Sequence, residues 1–364
     1  MNRNLLSLCV VTLALLTGVG ANAGVFGNSD RGKVVNCDKG MNPQHFLDQR
    51  LFSRPIKLYL VGTCPALTIE RDDVLIAGPP DVGCPGATVN GIIVNASDRV
   101  ELRCLKVTES TNDDDTGIWF FSGTGTLYNV EIVHNNGVGL LLGSGAYVEM
   151  FDSFASYNNE GIVVERSSAS LENVIVNNND GAGLMIEHNS SVEFLDGLVG
   201  WNGGSGFVVR TNSSLEVDST HIPQNGESGI NARDSAFVNV EGGSITDNGQ
   251  AITNRSGIFL YNNSTGNVTD VMISANQTGI GVYLNSTANV QGGTTLDANR
   301  ANGMTLRYDS SAIVGPGVQI PPNGSGLAIV CHDTESSVSI RSGGVGPSDC
   351  DGFNLPPHDH PHVH

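Results

Sequence analysis

Four stretches decide the fold: Gly161-Ile162-Val163-Val164, Gly183-Leu184-Met185-Ile186, Gly206-Phe207-Val208-Val209 and Gly257-Ile258-Phe259-Leu260. Each is a glycine followed by apolar–any–apolar, and each comes just after a polar turn containing Asn. Aligned on the glycine, the register runs Gly117, Gly139, Gly161, Gly183, Gly206, Gly229, Gly257, Gly279, Gly303 and Gly326. The steps are 22, 22, 22, 23, 23, 28, 22, 24 and 23 residues. Self-similarity at a fixed period marks a stacked repeat. Strand alternation puts Leu184 and Ile186 on one face and Met185 and Glu187 on the other. One such coil cannot bury its apolar face alone. Coils stacked about 4.8 Å apart build a continuous core.

Composition agrees. Hydrophobic residues reach 39% and charged residues only 15%, with 46 glycines, which excludes a disordered chain. The net charge of −19 argues against a broad nucleic-acid or anionic-membrane surface. Residues 1–23 read as a secretory signal. Arg3 supplies the positive start, Leu5 to Leu16 the apolar core and Ala21-Asn22-Ala23 the cleavage site. The mature chain is therefore expected to be secreted or periplasmic and to act as a monomer. It keeps Cys37, Cys64, Cys84, Cys104, Cys331 and Cys350. An even number in an exported chain favours disulfides, and six cysteines allow fifteen pairings. Proximity favours Cys37–Cys64, Cys84–Cys104 and Cys331–Cys350. All six lie near the ends of the array, where a coil lacks one neighbour.

Residues 24–55 read as a lead-in with a short capping helix over Pro43 to Phe52, Asn42 being its N-cap. The repeat proper is expected over 56–345. A flexible tail follows at 346–364; its alternating histidines could bind a transition metal. Just before the glycines sit Asn136, Asn158, Asn179, Asn202, Asn225, Asn276, Asn299 and Asn323. Seven residues after them sit Ser168, Ser190, Ser213, Ser264, Ser286 and Ser310. Stacked Asn amides can hydrogen-bond from coil to coil, and Asn tolerates left-handed turns. The coil from Gly229 carries about five extra residues near Gln250 to Arg255, and inserted loops often flank a site.

With period and Asn turns in hand, the chain resembles right-handed parallel β-helix proteins of the pectin-lyase-like superfamily over about residues 37–345. Cys37, the short helix and Val61-Gly62-Thr63-Cys64 look like the N-terminal module of exported bacterial members. The resemblance implies an all-β, single-stranded right-handed parallel β-helix of coils of about 22 residues with a short N-terminal capping helix. That superfamily includes pectate lyases, pectin esterases, polygalacturonases, alginate lyases and epimerases, phage tailspikes and adhesins. The coils lack the Asp-Pro-His-Asp of alginate epimerases, the Gly-His-Gly and Asn-Thr-Asp of polygalacturonases and the Arg-x-Pro-x-x-Arg of pectate lyases. No catalytic residue carries over.

The register maps one outward strip. Two after the glycine come Trp119, Met185, Val208 and Phe259. Four after it come Phe121, Glu165, Glu187, Arg210, Arg233, Tyr261, Tyr283 and Arg307, and five after it comes His188. Sugar rings stack on aromatic faces and Arg pairs with carboxylates. A linear acidic polysaccharide laid on Trp119, Arg210, Arg233, Phe259, Tyr283 and Arg307 is the expected ligand. Elimination or epimerisation of a uronic acid would use Arg210 or Arg233 on the sugar carboxylate and His188 or Tyr261 for the C5 proton. Hydrolysis would use Glu165 and Glu187 as acid and nucleophile, one rung apart. Glu187 beside Arg210 also reads as a plain coil-to-coil ion pair. A non-catalytic surface or adhesion scaffold is the other class the sequence allows. Asp113-Asp114-Asp115 could hold calcium, although its spacing fits no specific calcium loop.

Overall fold

The computed structural model describes residues 32–49, 55–79, 83–249, 255–341 and 343–350. The signal segment, residues 50–54, the inserted residues 250–254 and the His-rich stretch from residue 351 lie outside it. Three parallel sheets of 14, 12 and 13 strands run the length of the solenoid, each coil giving one strand to each. Every strand pairs in parallel with its counterpart one coil away. Ile162, Val163 and Val164 face Leu184, Met185 and Ile186, which face Phe207, Val208 and Val209. This is a right-handed parallel β-helix, as the family resemblance implies.

The inward residues close the core. Ile162, Leu184, Phe207 and Ile230 are fully buried and stack rung on rung. The repeating glycine sits where coils come closest. A Cβ on Gly161 would lie 2.3 Å from the Gly183 carbonyl oxygen, so no larger residue fits without moving the coil. The last member of the cadence needs correcting. Met304 pairs with Ile329, so the residue equivalent to Gly303 is Ala328, not Gly326.

Two polar ladders close the corners. Asn135, Asn158, Asn179, Asn202, Asn225, Asn248, Asn276, Asn299 and Asn323 are all at least nine-tenths buried. Each Nδ2 donates to the Oδ1 of the next, from Asn135 on Asn158 at 3.0 Å to Asn299 on Asn323 at 3.2 Å. The ladder takes Asn135, not the adjacent Asn136, and adds Asn248. Similarly the serine ladder takes Ser167, whose Oγ accepts from Ala146 N–H at 3.2 Å, rather than Ser168. The extra residues of the longer coil fall between Asn248 and Gly257, so the insertion leaves both ladder and register intact.

The N-terminal edge is capped by side chains. The helix is Gln44–Leu47, with Asn42 Oδ1 accepting from Gln44 N–H at 3.0 Å. Gln44 then imitates a strand: its Oε1 accepts from Thr68 N–H at 2.9 Å and its Nε2 donates to Thr68 O at 3.0 Å. These bonds satisfy the open edge of the 12-stranded sheet, which otherwise would template another strand. Asp38 does the same for Thr63 N–H at 3.1 Å, on the edge strand of the 13-stranded sheet. The disulfides are Cys37–Cys64, Cys84–Cys104 and Cys331–Cys350, the pairs that proximity favours.

Asn202 shows what the ladder is worth. Its amide donates to Asn225 Oδ1 and Val176 O, and its Oδ1 accepts from Asn179 Nδ2 and Asn179 N–H. Asn202→Ala strips partners from buried groups in two neighbouring coils, a cost of about 3 kcal/mol. A urea titration followed by circular dichroism should show a clearly lowered midpoint. An unchanged midpoint would remove the ladder from the account of stability.

Candidate functional site

Every outward residue singled out in the sequence lies on the 12-stranded sheet or at its edge. Glu165, Glu187, Arg210, Arg233, Tyr261, Tyr283 and Arg307 each end a strand, on successive coils. Consecutive rungs are about 4.8 Å apart. His188 follows Glu187 at a left-handed corner (φ 58°), which turns its ring back over the strand ends.

The strip divides into two clusters. At one end His188 Nδ1 lies 3.4 Å from Glu165 Oε1 and 3.7 Å from Glu187 Oε2. Arg166 Nη1 lies 3.0 Å from Glu165 Oε1, and Arg210 Nη2 pairs with Glu187 Oε1. Arg210 also meets Met185 Sδ at 3.6 Å. Both carboxylates therefore carry a cation of their own. At the other end Phe259 stacks on Tyr261 at 5.9 Å and meets Tyr283 at 5.1 Å, and Arg307 lies over Tyr283 at 5.5 Å. Burial pushes the Tyr283 hydroxyl up from its ordinary value. Arg307 Nη2 reaches His332 Nε2 at 3.1 Å, and burial, then Arg307, pull the His332 imidazole down.

Arg233 stands between the clusters, paired in register with Arg210 on one side and Tyr261 on the other. It makes no ion pair among the described residues, and its Nε has no hydrogen-bond partner there. His188 and Tyr261 are separated by three rungs, roughly 14 Å, so they cannot serve one sugar ring together. Trp119 is six rungs from Phe259, roughly 29 Å, beside Phe121 at 5.7 Å. In the apolar row Trp119, Met185 and Phe259 are partly exposed. Val208 is only 5% exposed, and its neighbour Asn231 3%. The Oδ1 of Asn231 has no partner among the described residues.

Sequence reasoning missed Glu160. It precedes Gly161, outside the columns counted from the glycine, and its Oε2 accepts from Ala182 N–H at 2.6 Å. Burial, together with the Glu187 charge, raises its carboxyl pKa, against the Ala182 N–H and Arg210, which lower it. The only signal was its place at the start of the strand that ends in Glu165. Among the described residues no group of three or more His, Cys, Asp or Glu is arranged to hold a metal ion. The Asp113–Asp115 segment forms an irregular turn, with Asp114 and Asp115 at positive φ (63° and 52°). No helix among the described residues is long and apolar enough to cross a membrane.

Coils, ladders and an outward strip together define a right-handed β-helix protein. The family model for the right handed beta helix region matches residues 86–218 and 160–339, more than half of the chain, and the chain belongs to that family. Among solved structures, it is similar to the A-module of mannuronan C-5 epimerase AlgE6 of Azotobacter vinelandii. Identity there is 18%, the TM-score is 0.56, and the match covers 82% of this chain and 93% of that one. The AlgE4 A-module of the same organism matches at 16% identity and TM-score 0.50, over 85% and 94% of the two chains. The periplasmic alginate epimerase AlgG matches at 12% identity and TM-score 0.58, over 86% and 83%. At these identities the likeness is one of fold. No curated protein sequence matches the chain.

Glu160 gives a pH-dependent signature. A carboxyl whose folded pKa is raised favours the folded state while protonated, and that contribution is lost as pH rises through the raised value. Relative to wild type, Glu160→Gln should therefore gain stability as pH climbs from about 4 and level off once Glu160 is ionised. Thermal midpoints of both proteins between pH 4 and 8 check this. A difference that stays flat would mean that the carboxyl is well solvated.

Proposed function

We propose that this chain is an exported, secreted or periplasmic protein that binds an acidic polysaccharide along the outward face of the 12-stranded sheet. One observation carries the reading. Arg233 stands unpaired among the described residues, and Phe259, Tyr261 and Tyr283 follow it within two rungs. A cation beside a ring platform suits a polymer whose sugars carry a carboxylate on one side and an apolar ring face on the other. The epimerases named above supply the class of substrate by analogy of fold, and three disulfides favour an oxidising compartment.

Within that site the reaction is elimination or epimerisation. Arg233 would neutralise the uronate carboxylate, which makes the C5 proton easier to remove, and Tyr261 on the next rung would take it as the phenolate. In elimination the C4–O bond then breaks and the leaving oxygen takes a proton from water; in epimerisation water returns a proton to the opposite face of C5. Glu165, Glu187, His188 and Arg210 then form a charge-balanced wall rather than the reacting centre. A non-catalytic scaffold is the second reading, and the neutralised pairs Glu187–Arg210 and Glu165–Arg166 favour it.

A panel of alginate, pectin and related polyuronides, with and without calcium, tests both. Affinity gels report binding, absorbance reports unsaturated ends, and NMR reports C5 configuration. Arg233→Ala should weaken binding by about tenfold or more, the loss of one charge-assisted contact. Tyr261→Phe should keep binding and lose product. No retardation on any polyuronide would end the carbohydrate reading of this face. Binding without product would leave the scaffold.

A further inference from the structure

A different surface carries large rings where the backbone disfavours them. From Asn135 to Asn299, each residue just before a ladder Asn sits at a corner with positive φ. His134, Tyr157, Asn178, Trp201 and Gln224 occupy that corner on successive coils, with φ between 52° and 57°. Asn suits this conformation and bulky side chains do not. Yet Tyr157 is 55% and Trp201 44% exposed. Rings that are neither buried nor favoured by their turn are kept for what they meet.

The rings are held in place. His134 stacks on Tyr157 with centroids 5.1 Å apart and planes within 9°. Trp201 Nε1 donates to Gln224 Oε1 at 2.8 Å. Asn135, Asn158 and Asn202, the next residues in sequence, are locked in the buried ladder. Phe154, three residues before Tyr157, is 40% exposed on the adjoining strand. Tyr157 and Trp201 are two rungs apart, about 9.6 Å.

Charge selects the occupant. Between Glu131 and Thr246 no strand of the 13-stranded sheet carries Lys or Arg, and neither does the corner. With a net charge of −19 behind it, the corner repels polyanions. Rings alternating with amides, Tyr157, Asn178, Trp201 and Gln224, match a polymer whose apolar ring faces alternate with hydroxyls. We propose that this corner is a second glycan-binding site, distinct from the arginine strip and selective for an uncharged polysaccharide. Rigid aromatic faces give contact area at little entropic cost, so binding needs no rearrangement.

The test is affinity electrophoresis in gels cast with uncharged polymers (galactomannan, hydroxyethylcellulose, xylan), with alginate gels as the charged counterpart. Tyr157→Asn and Trp201→Asn install the residue that the turn prefers, so the thermal midpoint should hold or rise. Retardation of the wild type by at least one uncharged polymer is expected. It should weaken about tenfold in Trp201→Asn and vanish in the double variant, while Arg233→Ala keeps it. No retardation by any uncharged polymer, or equal retardation of the double variant, overturns the proposal. So does loss of binding in Arg233→Ala. A wild-type dimer by light scattering that Trp201→Asn converts to monomer overturns it too, making the corner a contact between two copies.

Discussion

The buried asparagine amide is the interaction on which the rest depends. A coil corner cannot pair its own backbone, and a buried polar group left alone costs more than a hydrogen bond gains. An Asn side chain offers two donors and an oxygen with two acceptor sites. Asn202 uses all of them, on the coils before and after it. A slip of one residue would break every such bond and turn each strand inside out. The ladder therefore fixes register along the whole stack, and the three sheets inherit it.

Two surfaces follow from that register, and charge separates them. The outer face of the 14-stranded sheet collects Glu149, Glu193 and Glu216 on successive rungs or nearly so, along with Glu172 and Glu241. Arg210, Arg233 and Arg307 lie on the 12-stranded sheet instead. Packed sheets lie about 10 Å apart, and the Debye length at physiological salt is about 8 Å. A ligand on the strip therefore feels Arg233 and Arg307 more than the acidic face behind them. The corner before the ladder has neither sign in excess, and rings take it over.

The fold was legible because a period survives every local ambiguity. The exact ladder residues were less so. Asn135-Asn136 and Ser167-Ser168 are doublets, and spacing from the glycine varies by one between coils, so only the amide geometry chooses. Gly326 misled because the last coil keeps the apolar pattern at Ala328-Ile329-Val330 and drops the glycine. The Gln44 cap was invisible for another reason: a side chain that imitates a strand leaves no periodic trace. The strip residues were legible as a column, since outward positions recur with the coil. Their pairing was not. Equal rung spacing made Arg210 and Arg233 look alike, and the structure gives Glu187 to one and leaves the other unpaired among the described residues. Glu160 escaped because it opens its strand one residue before the glycine, where the column count does not reach.

The corner rings show how far rigidity can be passed along a chain. Tyr157 and Trp201 are only about half buried and oppose the preference of their own backbone, so part of the cost of holding them must fall elsewhere. It falls on the next residue, where Asn158 and Asn202 are each bonded to coils on both sides. One residue of separation leaves only two backbone torsions between a ring and the most constrained atoms in the molecule. The same arrangement recurs on successive coils from Asn135 to Asn299, so a surface built this way presents its groups at multiples of about 4.8 Å along a straight line. A compact ligand would use one or two such positions. A linear polymer can use many at once, with the entropy of ordering already met by the fold. Stacking thus does more than build the core: it favours repeating ligands on whichever face carries the right chemistry.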